Sequence, residues 1–356
     1  MAKGYAKLRF GPVTVVPGTP SSVFPRCTSL YVDGGRERAV IDPGAGPEAL
    51  AETVGCVDLV LNTHYHFDHI WGNHLYRSAA VALNPIERNC FPDLEEVGSR
   101  LGIREVYGGE GVREWVEAVS TAAGERAGAP GAPTSATSVA PPTAAAPFTP
   151  AFRPEWWLST RTPARAYPYG EFTVGSARLV MIHSPGHTAG FACPYFPDEG
   201  LVYTGDIDLT SFGPWYAGSD GDIEAFVRSA RALLDLDAEW YLTGHQEGLL
   251  RRAEFAERLE EYLGVIDERD RRALDLLAQG LAPEELGGGT HRHRPRHGRR
   301  RLRRMRQPSW RRQPERGPDG CDPTRFSFQR TRGHREQAMR FGPRRREHGG
   351  PGHPGG

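Results

Sequence analysis

The stretch NTHYHFDHIWGN, residues 62–73, places His64, His66, Asp68 and His69 within six positions. It limits the fold more than any other segment, because its ligand-type side chains need a scaffold that gathers polar groups at one point. The preceding VDLVL is apolar and rich in branched residues, which predicts a buried strand ending where the cluster begins. In open α/β folds, ligands bind at the carboxyl ends of strands. The segment therefore points to a metal site on an α/β scaffold, although one cluster does not close a site.

Three later strand ends supply what is missing. HSPGHTAG puts His187 after the strand-like ARLVMIH, YTGD puts Asp206 after GLVY, and LTGH puts His245 after AEWY. Of the thirteen histidines, six lie beyond residue 290. Five of the other seven belong to this set, leaving only His74 and His183. His74 reads as a helix-surface residue and His183 as a strand-end histidine with its own partner. Neutral imidazole and carboxylate suit zinc and its borderline relatives. An HxH pair on a short turn directs both imidazoles at one ion, and Asp68 and His69 can face a second. Seven ligands exceed one tetrahedral ion but suit two ions about 3.5–4 Å apart that share a carboxylate.

The full HxHxDH signature, HYHFDH, with the later His, Asp and His in order, resembles the metallo-β-lactamase superfamily. Asp42 in VIDPG matches that superfamily's early strand-ending aspartate, and the resemblance covers roughly residues 8–250. It implies an αββα sandwich with metals at one edge. Carried over, its pattern gives one metal His64, His66 and His187, gives the second Asp68, His69 and His245, and lets Asp206 bridge. Asp68, Asp206 and His245 are also placed among the catalytic groups, and Asp42 steadies the ligand loop. The HxHxDH form is that of the glyoxalase II, lactonase and tRNA-processing branches.

The implied activity is that of a dinuclear zinc hydrolase, in which a bridging hydroxide attacks the carbonyl of a small ester, thioester or lactone. Iron or manganese would also suit the donors. Two alternatives share the fold. A mononuclear iron oxygenase like the persulfide dioxygenases would use two histidines and one carboxylate. A nucleic-acid processing nuclease would draw on the basic tail. The glutathione thioesterases carry a basic, glycine-rich stretch after the bridging aspartate. Here DIDLTSFGPWYAGSD has no lysine or arginine, which counts against glutathione. Phe212, Trp215 and Tyr216 nearby can line an acyl or ring pocket or pack the loop against the core.

Composition sets the boundaries. Residues 1–250 read as the metallo-β-lactamase-like domain, with an Ala/Pro-rich, flexible insertion at about 120–154. VREWVEAV at 112–119 has helical spacing, and DIEAFVRSARALLDL carries an apolar helical face with Asp222 as N-cap. Residues 251–286 form a short helical extension, with two amphipathic helices expected over 251–278. Residues 287–356 read as a disordered Arg/Gly/Pro-rich tail. The stretch 291–356 holds 20 arginines against five acids, a net of +15, so the other 290 residues carry −15 of the overall zero. Such a tail suits a disordered basic segment and equally a G+C-rich gene read out of frame. Without aromatic interleaving or a module motif, no specific nucleic-acid partner is expected. Five scattered cysteines without a CxxC pair argue against a disulfide framework, and Cys193 reads as a small buried residue. With no long apolar run at the N-terminus, the expectation is a cytoplasmic protein without a membrane anchor, acting on a small molecule.

Overall fold

Strands whose residues are apolar at every position can be buried on both faces, and that property organises this chain. The computed structural model describes residues 8–19, 22–91, 93–127 and 164–280. Seven strands form the first sheet in sequence order. They are β1 (Arg9–Phe10), β2 (Val13–Val16), β3 (Ser29–Asp33), β4 (Arg38–Ile41), β5 (Leu59–Leu61), β6 (Ala80–Leu83) and β7 (Arg165–Ala166). The first four pair antiparallel, and β4 to β7 run parallel. The second sheet holds β8 (Gly170–Val174), β9 (Ala177–His183), β10 (Ala192–Phe196), β11 (Leu201–Gly205), β12 (Trp240–Thr243) and β13 (Leu249–Arg251). Its order is β13-β12-β11-β10-β9-β8, antiparallel except between β11 and β12.

The period of two sorts the side chains into layers. Ala39, Ile41, Leu59 and Leu61 meet Leu179, Met181, Leu201 and Tyr203 in the core between the sheets. Their neighbours Val40, Val60 and Val81 face outward against Leu50, Ile70, Val97 and Trp115. On the far side, Val202 and Tyr241 pack on Phe226, Phe255 and Leu259. The result is an αββα sandwich.

The first helical layer comprises α1 (Pro47–Leu50), α2 (Phe67–Ile70), α3 (Leu94–Arg100) and α4 (Ile103–Ala127), which is broken by a kink at Gly108, φ 69. Asp93 caps α3 by accepting from the amides of Glu95 and Glu96. The second layer comprises α5 (Ile223–Ala232) and α6 (Arg252–Ala278). Asp222 caps α5 as expected, accepting from the Ala225 amide at 2.8 Å.

Two expectations differ from the structure. Residues 251–278 form one 27-residue helix instead of two. Gly264, the one weak helix former at the midpoint, has nothing within 4 Å of where a Cβ would sit. There it costs about 1 kcal/mol, which does not break a helix docked along its first half. The helix α4 also continues to Ala127, past the change in composition at 120. The rest of the insertion and the whole 287–356 tail lie outside the described residues. Among the described residues, no helix is long and apolar enough to cross a membrane.

Candidate metal centre

The ends of β4, β5, β6, β9, β11 and β12 meet at one edge of the sandwich, and each delivers a polar group there. At the end of β4, Asp42 is fully buried with φ 47, a left-handed conformation that turns its carboxylate toward the next strand end. Its Oδ1 accepts from the Thr63 amide at 2.7 Å. Its Oδ2 accepts from Thr63 Oγ1 at 2.7 Å and lies 2.8 Å from His69 Nδ1. Thr63 Oγ1, having donated its proton, accepts from His64 Nδ1 at 2.9 Å. One carboxylate thus orients two imidazoles, one directly and one through a hydroxyl, and turns each Nε2 toward the cluster. This needs close backbone approach. A Cβ on Gly44 would fall 1.7 Å from the Asp68 carbonyl oxygen, so only glycine lets the DPG turn lie against α2.

The other histidines are oriented by main-chain carbonyls. His187 Nδ1 donates to the Trp215 carbonyl at 3.0 Å, and His245 Nδ1 donates to that of Arg26 at 3.0 Å. His66 differs, turning its Nδ1 inward to lie 2.9 Å from His187 Nε2.

All seven expected ligands converge, in two groups that share one member. His64, His66, His187 and Asp206 form the first, and Asp68, His69, Asp206 and His245 the second; donor atoms within each lie within 4.8 Å of one another. The two oxygens of Asp206 divide the work. Oδ2 lies 3.1 Å from His187 Nε2 and 3.8 Å from His64 Nε2. Oδ1 lies 2.7 Å from His69 Nε2 and 3.5 Å from His245 Nε2. Asp68 Oδ2 closes the second group at 3.2 Å from His245 and 3.7 Å from His69.

The donor set fits bound metal. Around an ion with bonds of about 2.0–2.2 Å, tetrahedral ligand atoms sit about 3.3–3.6 Å apart, the scale of these separations. The buried atoms His69 Nε2 and Asp206 Oδ1 make no well-directed hydrogen bond, although only 2.7 Å apart. Buried polar atoms without partners are costly unless something else satisfies them. Electrostatics point the same way. Burial, then repulsion from the neighbouring imidazoles, keeps His64 well below the usual histidine range and His66 at about 3, so both are neutral as ligation requires. For His69, burial opposes the charge, but Asp206, Cys27, Asp68 and Asp42 outweigh it and hold the ring well above its usual range. His245 is raised similarly by Asp206 and Asp68 against burial. The carboxylates draw positive charge into the centre, and a divalent cation would supply that charge.

One residue that holds the site together escaped the sequence reading. Glu87 lies beyond β6 and is fully buried. It accepts from the Tyr65 amide at 3.1 Å and Asn84 Nδ2 at 2.9 Å through Oε2. Through Oε1 it accepts from Thr188 Oγ1 at 2.5 Å and the Gly190 amide at 2.8 Å. It clamps the loop of His64 and His66 to the loop of His187. Burial pushes its carboxyl upward despite these bonds. The available signal was its place, NPIE after a parallel strand at the ligand-bearing edge.

Above the ligands opens a cavity of about 420 Å³. His66, Asp68, His187, Asp206 and His245 form its floor, with Phe24, Phe67, Leu101, Phe212 and Trp215 as walls. Tyr216 does not line it but packs against the core under the second sheet. Helix α6 braces this wall: Arg269 donates to the carbonyls of Phe212 and Pro214, and Tyr262 to that of Asp206. Outside the cavity, His183 is exposed, stacks on Tyr169 and bonds the Ala189 carbonyl. His74 lies on a short 3-10 turn away from the ligands, and Cys193 is buried.

Comparison with known proteins places the chain in a family. A model described as the metallo-beta-lactamase superfamily matches residues 24–245. A hydroxyacylglutathione hydrolase of Methylococcus capsulatus is 32% identical over 113 residues, covering 32% of this chain and 43% of its own length. One of Cereibacter sphaeroides is 36% identical over 89 residues, covering 24% and 33%. The chain thus spans less than half the length of these curated relatives. Among solved structures, a metallo-beta-lactamase family protein of Thermus thermophilus aligns with 23% identity over 75% of this chain and 83% of its own, at a TM-score of 0.48.

Proposed function

The chain belongs to the metallo-β-lactamase superfamily, and from that premise we propose that it is a dinuclear zinc hydrolase of a small ester, thioester or lactone. The observation that carries the reading is Asp206, with one oxygen turned to each of two compact ligand groups. His64, His66 and His187 would hold one ion with Asp206, and Asp68, His69 and His245 the other. Imidazole and carboxylate donors suit zinc, and two such ions would supply Lewis acidity toward a carbonyl oxygen and an ionised water at neutral pH.

The chain's own groups do the rest. Asp42 and Thr63 fix the ring orientations of His69 and His64, so no reorganisation is needed during reaction. Asp68 presents its carboxylate to the cavity floor, where it can take a proton from an entering water. Trp215 packs edge-on against His66 at 4.9 Å between ring centroids and shields that side from bulk solvent. The second ligand group is as compact as the first, which favours two metals over the single iron of an oxygenase. No lysine or arginine is among the described residues lining the cavity, which favours a small molecule over nucleic acid.

The test is metal content of the purified full chain with Asp206→Asn beside it, together with hydrolysis of thioesters, lactones and phosphodiesters. Two zinc per wild-type chain, carbonyl hydrolysis, and loss of paired stoichiometry in Asp206→Asn are expected. A variant that keeps two tightly held metals and a normal rate would remove Asp206 from the bridge.

A further inference from the structure

The walls of the cavity hold more information than its floor. Phe24, Phe67, Leu101, Phe212 and Trp215 supply its apolar lining, and Phe24 and Phe67 meet edge-to-face at 5.6 Å. Phe24 and Phe212 are 50% and 58% exposed, so two aromatic rings stand at the mouth with much of their surface in water. The volume falls within the usual range for small-molecule sites, about 300–1,000 Å³. Charge is distributed unfavourably for an anion. Asp208 belongs to neither ligand group yet faces the same cavity. Among the described residues, three arginines close in sequence to lining residues or bonded to their loop are engaged in structural roles. Arg269 bonds loop carbonyls, Arg100 holds Glu96 and Asp220, and Arg26 lies 4.0 Å over the Trp71 ring.

We propose that the substrate is an uncharged carboxylic ester or lactone carrying an apolar alkyl or aryl group, which lies against the apolar lining that includes Phe24 and Phe212 while its carbonyl rests on the ligand floor. The proposal rests on the hydrolase reading and narrows it. An apolar group removed from water there contributes about 25 cal/mol per Å², whereas a glutathione thioester would bring carboxylates to a wall where no described lining residue is a lysine or arginine, and to Asp208, which repels them. In the reaction the acyl carbon–oxygen bond breaks, the oxygen of water joins the acyl carbon, and its proton ends on the departing alkoxide.

The test uses the zinc-loaded full chain and two kinds of readout. Rates are measured on γ-nonalactone, γ-butyrolactone and S-lactoylglutathione. Binding of the γ-lactam analogue of the nonalactone, which is not hydrolysed, is titrated against S-methylglutathione. The nonalactone is expected to exceed the other two in kcat/KM by at least ~10-fold, since each methylene in an apolar pocket is worth about 10-fold or more. Phe212→Ala is expected to raise KM for the nonalactone ~10-fold and to leave that for butyrolactone little changed; Phe212→Leu should restore most of the loss. A preference for S-lactoylglutathione, or tighter binding of S-methylglutathione than of the lactam, overturns the proposal and leaves the hydrolase reading standing. Tight lactam binding with no turnover of any substrate supports the apolar pocket and sinks the hydrolase reading.

Discussion

Replacing Glu87 separates clamping from catalysis, because Glu87 is absent from the lining of the cavity but bonds both loops that carry the first ligand group. In Glu87→Ala four donors lose their acceptor. The Thr188 hydroxyl and the Asn84 amide can turn elsewhere. The Tyr65 and Gly190 amides cannot, and each buried unpaired donor costs about 1–3 kcal/mol. Relief of a buried charge offsets part of this, since burial already pushes the carboxyl upward. The expected net loss is about 3 kcal/mol, or about 6–12 °C in Tm for a domain of this size. Glu87→Gln keeps the shape and one acceptor, and its loss of charge is cheap in a site that already disfavours charge, so about 1–2 kcal/mol is expected. The loss should also be selective. His64 and His66 sit on one clamped loop and His187 on the other, so of the two proposed metals the one that these three would hold should weaken first. Thermal melts, with zinc per chain titrated against a chelator, read both effects. A Glu87→Ala chain melting within about 1 °C of wild type, with both metals held equally, would refute the clamp.

His66→Ala removes a ligand of the first group, and hydrolysis should fall by several orders of magnitude while far-ultraviolet circular dichroism is retained; undiminished turnover at saturating zinc would count against the site. The Cys193 thiol, pushed up to about 12 chiefly by burial, should resist alkylation at pH 8 in the folded chain and react once the chain is denatured. Its folded value lies above the unfolded one, so its contribution is intact below the unfolded value of 9.0 and is lost as pH rises toward 12; a Cys193→Ala chain should show less alkaline destabilisation in denaturant titrations. Removing residues 290–356 should leave zinc content, Tm and ester hydrolysis unchanged, because all seven proposed ligands precede that stretch; a fragment 1–289 that unfolds or loses zinc would make the tail structural.

The convergence of the candidate ligands was legible because metal chemistry permits few residue types, and strand ends recur in sequence as apolar runs halted by polar residues. Asp42 was legible for the same reason, as an acid closing RAVI. Glu87 was not, because a buried acid in a loop looks like any solvated one until the two loops it joins are seen together, and His187 lies a hundred residues further along the chain. Tyr216 shows a related limit. The sequence brings Phe212, Trp215 and Tyr216 all within ten residues of Asp206, but neighbouring side chains diverge, and which of them faces the cavity depends on how the loop leaves β11. Arg269 settles that by holding the carbonyls on either side of Gly213 from α6, which follows β11 only after α5, β12 and β13. The single helix α6 was misjudged for a comparable reason. A glycine costs the same in any helix interior, but here Phe255, Leu259, Tyr262, Leu263 and Ile266 dock the run on the second sheet, and tertiary burial outweighs local propensity. Local chemistry therefore identifies what the site contains, while the groups that hold it in shape are fixed by contacts between distant segments.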